Sequence, residues 1–103
     1  MKTEQFDKVI TAQLDLCQSV LTNKAVEYAT ADRLHNFKTA SVLLDCSPIQ
    51  ALSGMMVKHT VSIYDMINSG GTYSQALWDE KITDSINYLL LLKAAVVEDL
   101  ENE

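Results

Sequence analysis

Residues 78–97 read WDEKITDSINYLLLLKAAVV, and they decide the fold. No residue in this stretch breaks a helix, and the apolar positions recur at helical rather than alternating spacing. Four successive leucines, Leu89 to Leu92, advance by about 100° each and so cover the whole circumference of the helix. Ahead of them Glu80, Asp84 and Asn87 stand at i, i+4 and i+7, which lines them along one stripe about 10 Å long. The helix therefore has a polar half and an apolar half. Its leucines exceed what a small bundle hides, and burying each is worth roughly 1.5–3 kcal/mol. A homodimer or a dimer of dimers is the expected way to cover them.

Working outward, NSGG at 68–71 is a turn, and either Thr72 or Ser74 can cap the long helix, which runs to about Leu100. SPIQ at 47–50 is the clearest helix start. Ser47 is a natural N-cap, Pro48 suits the first helical position, and Gln50 completes a capping box. That helix is expected to reach about Ile67, with Ile49, Leu52, Met56, His59, Ile63 and Met66 or Ile67 inward. Before it, RLHNFKTASVLL is expected to be a helix capped by Asp32, its apolar face Leu34, Phe37, Ser41 and Leu44. The first helix carries Phe6, Ile10, Leu14, Cys17 and Leu21 in one stripe; Thr22 and Asn23 weaken it, and KAVEYATAD is expected to be irregular. No alternating strand pattern competes. The expectation is one all-α domain spanning 1–103, a four- to five-helix bundle.

Composition narrows the function. The chain has 8 basic and 14 acidic residues, a net charge of −6, with no Lys/Arg cluster, so a nucleic acid polymer is an unfavourable partner. Cys17 and Cys46 have no zinc spacing and read as core thiols. The longest apolar run is far short of a membrane span. Lys2, Glu4 and Asp7 near the start exclude a signal-type apolar segment, so the expected location is the cytoplasm.

The polar residues suggest a site. Glu80 and Asp84 are like charges at i, i+4, an arrangement that costs a few tenths of a kcal/mol unless a cation relieves it. Mg²⁺ would do so with oxygen ligands and leave waters for phosphate to displace. Solvated helix-face acids are the plain alternative. Lys58, Ser62 and Asp65 repeat the same spacing on the preceding helix, and two such stripes facing one another would form a polar trough. Glu27 can bring a further carboxylate, and Lys24 and Lys58 can hold phosphate oxygens. Arg33 and Asn36 flank His35 and can reach a base or sugar. His59, on an apolar stripe, reads as a packed structural histidine. Tyr73 and Trp78 can stack on a base, or Trp78 can anchor its helix start.

Taken together, KAVEYATADRLHNFK, KHTVSIYDM and WDEKITDSINYLLLLKA resemble small, largely phage-encoded members of the MazG-like all-alpha nucleoside triphosphate pyrophosphohydrolase superfamily, over residues 20–95. The resemblance implies an oligomeric, Mg²⁺-dependent enzyme that cleaves a (d)NTP between the alpha and beta phosphates to a monophosphate and pyrophosphate. It implies Glu27, Glu80 and Asp84 as metal ligands and Glu27, Asp65 and Glu80 as catalytic acids. It also implies Lys58 and Asn87 as phosphate contacts, beside Lys24, Arg33 and Asn36 as substrate-binding residues. The spacing departs from the family pattern: Thr30 stands where a second acid would follow Glu27, leaving Asp32 or Asp65 to complete the set. Two other functions fit the same residues, a catalytically silent nucleotide sensor of this fold and a small phage helical protein that docks on a host protein.

Overall fold

A computed structural model describes residues 1–27 and 31–102, the side chains of 25–27 excepted. Four helices follow in order: α1 (Thr3–Glu27), α2 (His35–Leu44), α3 (Pro48–Asn68) and α4 (Gln75–Glu101). No strand occurs among the described residues. The chain is an all-α four-helix bundle.

Local chemistry accounts for most of the boundaries. Ser47 Oγ accepts from the Gln50 amide at 3.1 Å and Gln50 Oε1 accepts from the Ser47 amide at 2.9 Å, a full capping box. Ser74, not Thr72, caps α4, its Oγ accepting from the Leu77 amide at 3.1 Å. The turn between α3 and α4 includes Gly70 at φ 71°, where a side chain would be strained. Asp32 does not cap α2 directly. Its carboxylate accepts from the Leu34 amide at 2.9 Å, closing a turn one residue before the helix begins at His35. α1 continues through Thr22 and Asn23 to Glu27, longer than the sequence suggests, because two middling helix formers cost too little to end an established helix.

The core lies between α2, α3 and α4. Leu34 and Phe37 meet Leu52 and Ala95 there, with Met55, Tyr88, Leu91 and Leu92 packed around them. α1 packs on α4 alone. It buries Cys17 but leaves much of its apolar stripe outside: Phe6 is 53% and Leu14 58% exposed. Leu44, expected inward on α2, is also exposed, beside Val42 and Leu43. No single described helix is long and apolar enough to cross a membrane.

Lys38 ties the entry to α2 to the end of α4. Its Nζ lies 2.7 Å from Asp32 Oδ2 and 2.5 Å from Glu98 Oε1. The Lys38 hydrogen bond, aided by the Leu34 amide, holds the Asp32 carboxyl below its ordinary value of 3.8. Bonds to Asp32 and then Glu98 raise Lys38 above 10.5. The signs set a window. The depressed Asp32 contributes stability present above about pH 3.8 and lost as pH falls through its folded value. The raised Lys38 contributes stability present below about pH 10.5 and lost as pH rises through its folded value. Urea unfolding of Lys38→Met against the parent chain should therefore show a small deficit between about pH 5 and 9 that narrows at acid pH. An equal deficit at every pH would show that Lys38 acts through packing alone.

Candidate functional site

A buried polar seam sets α1 on α4. Gln13 Nε2 donates to Thr83 Oγ1 at 2.8 Å and lies 3.3 Å from Cys17 Sγ. Asn87 Nδ2 donates to the Cys17 backbone oxygen at 3.3 Å. Both cross-helix bonds join residues 70 apart in the chain, so the two helices run parallel in one fixed register. Thr83 and Asn87 are buried, at 2% and 5% exposure, in a helix whose neighbouring leucines are far wetter. Polar groups in such positions persist because they are paired, and the pairing selects one register over its neighbours.

Two openings flank this seam. A cavity of about 90 Å³ is lined by Lys24 from α1, Asn36 and Phe37 from α2, and Asp84, Asn87 and Tyr88 from α4, with apolar residues between. A wider groove of about 570 Å³ is lined by Lys24 together with Asp79, Glu80, Thr83 and Asp84. The two share Val20, Lys24 and Asp84, so they adjoin along the α1–α4 crevice. The cavity end is aromatic. His59 packs on Tyr88 with ring centroids 4.7 Å apart, and Tyr88 meets Phe37 edge-on at 6.4 Å. The groove end is acidic. Lys24 stands between the two, where a cation offsets the carboxylates and can meet an anionic group.

The structure thus gathers Lys24, Asn36, Glu80, Asp84 and Asn87 around one crevice. The remaining expected residues fall elsewhere. Lys58 and Asp65 are exposed on α3 and line neither opening, and the α3 side chain that reaches Asp84 is His59, its Nδ1 3.8 Å from Asp84 Oδ2. Arg33 Nη2 donates to the Leu21 backbone oxygen at 3.0 Å, and Arg33 lines a separate groove with Leu21, Leu90 and Leu91. The Glu27 side chain lies outside the described residues. Asp32 is engaged by Lys38, and Tyr73 and Trp78 pack edge-on against each other at 5.9 Å rather than against either opening. Among the described residues no three His, Cys, Asp or Glu side chains come together as a metal site.

Phe37 and Tyr88 line the cavity and His59 packs on Tyr88; sequence reasoning gave none of the three a role in the site. One signal was available, since Tyr88 follows Asp84 at i+4 on the stripe that holds the acids. No protein-family model, curated protein or solved structure matches the chain.

The seam makes a direct prediction. Thr83→Val keeps the shape of the buried side chain but removes the acceptor for Gln13 Nε2. It should cost about 1–2 kcal/mol by urea unfolding, and truncating Gln13 to Ala in the same background should add less than it does alone. Full additivity of the two changes would show that the bond does not couple them.

Proposed function

We propose that the chain is a cytoplasmic, Mg²⁺-dependent nucleoside triphosphate pyrophosphohydrolase that works as a homo-oligomer. The observation that carries the reading is the adjoining pair of openings: an acidic groove and a small aromatic cavity joined at Lys24 and Asp84. A nucleotide has the matching polarity, a flat ring at one end and a phosphate chain at the other.

The donor set fits a hard cation. Glu80 and Asp84 offer carboxylate oxygens one helical turn apart, and Mg²⁺ is commonly held by one or two carboxylates with phosphates and waters completing its shell. Sequence adds Glu27 to these acids. When bound, the ion would polarise the phosphoryl group and lower the pKa of a water. The chain itself would supply positioning: Lys24 on phosphate oxygens, Phe37 and Tyr88 against the ring, and His59 beside Asp84 to hold that carboxylate in place. Lys58 and Asp65 are left out of this assignment, since they line neither opening.

The test is a panel of ribo- and deoxynucleoside triphosphates assayed for pyrophosphate release with and without Mg²⁺. Release should require the metal and fall at least a hundredfold in Glu80→Gln and in Asp84→Asn, with helical circular dichroism unchanged. No pyrophosphate from any nucleotide would reject the hydrolase. Calorimetric binding without release would then favour the silent sensor of the same shape.

Homo-oligomerisation is supported by the apolar surface left on one chain: Leu14 on α1, Val57, Val61 and Tyr64 on α3, and Leu89 and Leu90 on α4. Light scattering should give twice or four times the chain mass of 11.5 kDa. Leu14→Glu combined with Leu89→Glu should shift the population to monomer. A parent chain that stays at the single-chain mass up to high micromolar concentration would overturn the assembly.

A further inference from the structure

The first half of α1 carries little cover. Every residue from Met1 to Ala12 is exposed, and the tie to α4 comes at Gln13, through its bond to Thr83. The segment is nevertheless helical from Thr3, and it holds Phe6, Val9 and Ile10, which with Leu14 are between 41% and 58% exposed. Its own chemistry does little to keep it helical. Val9, Ile10 and Thr11 are three β-branched residues in a row, and a bare helix of this length is marginal in water. The whole chain is short of cover as well. A compact monomer of 11.5 kDa would expose about 5,800 Å², and this chain exposes 7466 Å². The surplus exceeds the roughly 800 Å² that each partner gives to a standard interface.

We propose that this arm pairs with the same arm of a second copy, the two helices parallel, so that Phe6 and Ile10 each meet their own counterpart. This rests on the homo-oligomer reading above and names the face and the orientation of the contact. At about 100° per residue, Phe6 and Ile10 share one direction. Lys2 and Val9 lie roughly 70° to one side of it, and Asp7 and Leu14 roughly 70° to the other. Lys2 already follows the helix, since its carbonyl accepts from the Phe6 amide at 3.0 Å. Between parallel helices opposite flanks meet, offset by about five residues. That sets Lys2 against the partner's Asp7 and Val9 against the partner's Leu14, and the two-fold symmetry repeats both contacts. An antiparallel pair would bring each flank onto its own kind and leave both charges without an opposite. One charge of each sign beside the stripe suits a copy of the chain better than a partner of single charge.

Sedimentation of the full chain over a concentration series gives the test. Phe6→Glu and Ile10→Glu should each weaken self-association by about tenfold or more. Lys2→Glu and Asp7→Lys should each weaken it a few-fold, and the two together should restore it, a rescue that damage to the fold cannot produce. Cross-linking supplies a second readout, in a Cys46→Ser background where the remaining Cys17 is buried. Phe6→Cys and Ile10→Cys should each give an interchain disulfide on mild oxidation. Parallel arms allow both, whereas antiparallel arms can bring a residue onto its own copy at one point alone.

An oligomer unmoved by either glutamate would overturn this inference and leave assembly through α3 or α4 standing. A parent chain that stays at the single-chain mass would overturn both. Cross-linking at one position without the other, or charge reversal without rescue, would overturn the parallel pairing. None of these outcomes depends on nucleotide hydrolysis, which stands or falls by its own assay.

Discussion

The bond from Asn87 to the Cys17 carbonyl, with Gln13 and Thr83 one turn away, is the constraint on which the crevice depends. Among the described helices α1 packs its backbone close to α4 alone, with Arg33 adding one bond to the Leu21 carbonyl. Apolar contact alone would let one helix slide along another by a turn, since leucine-rich faces repeat every three or four residues. Two buried polar pairs at a common offset remove that freedom, because any other register strands their donors and acceptors. Lys24 and Val20 reach the crevice from α1, so the seam that holds the helix also sets where the cation stands relative to Glu80 and Asp84. Stability and the geometry of the candidate site rest on the same four residues.

Much of the architecture was legible in the sequence because it is written in short-range chemistry. Ser47, Pro48 and Gln50 specify a helix start that needs no tertiary partner, and the long apolar run from Tyr88 declares α4. Periodicity was less informative for α1. Phe6, Ile10 and Leu14 do form a stripe with Cys17, but a stripe says that a face is apolar without saying what covers it. Within one chain α4 covers the later turns of α1 and leaves the earlier residues wet. The four-leucine run behaves alike: Leu91 and Leu92 pack on the core while Leu89 and Leu90 face outward.

The polar stripe read on α4 borders the crevice, and the one read on α3 does not. Glu80, Asp84 and Asn87 all border the crevice. The expected partners, Lys58 and Asp65, are exposed one residue away from positions that turn inward, and one residue around a helix is about 100° of rotation. His59 and Met66 occupy the inward direction instead. Spacing within one helix is a local property, but the rotation of that helix about its axis is set by the whole core, chiefly Leu52 against Phe37 and Ala95. A sequence stripe therefore predicts which residues share a face far better than it predicts which face is shared with a neighbour.

On the proposed reading, the polarity of the crevice answers how a protein of net charge −6 can meet an anionic ligand at all. Direct attraction is unavailable, since only a few cations stand against many acids. What the chain can offer is a division of labour along one helix. On the proposed reading, the carboxylates of its first half would attract a cation, and that cation would reverse the local field beside the phosphates. Its second half, beyond Asn87, turns aromatic and apolar, where a ligand would gain from burial rather than charge. Asn87 marks the boundary between the two halves. Its Nδ2 is committed to the Cys17 carbonyl, so this buried amide serves first to fix where α1 sits on α4.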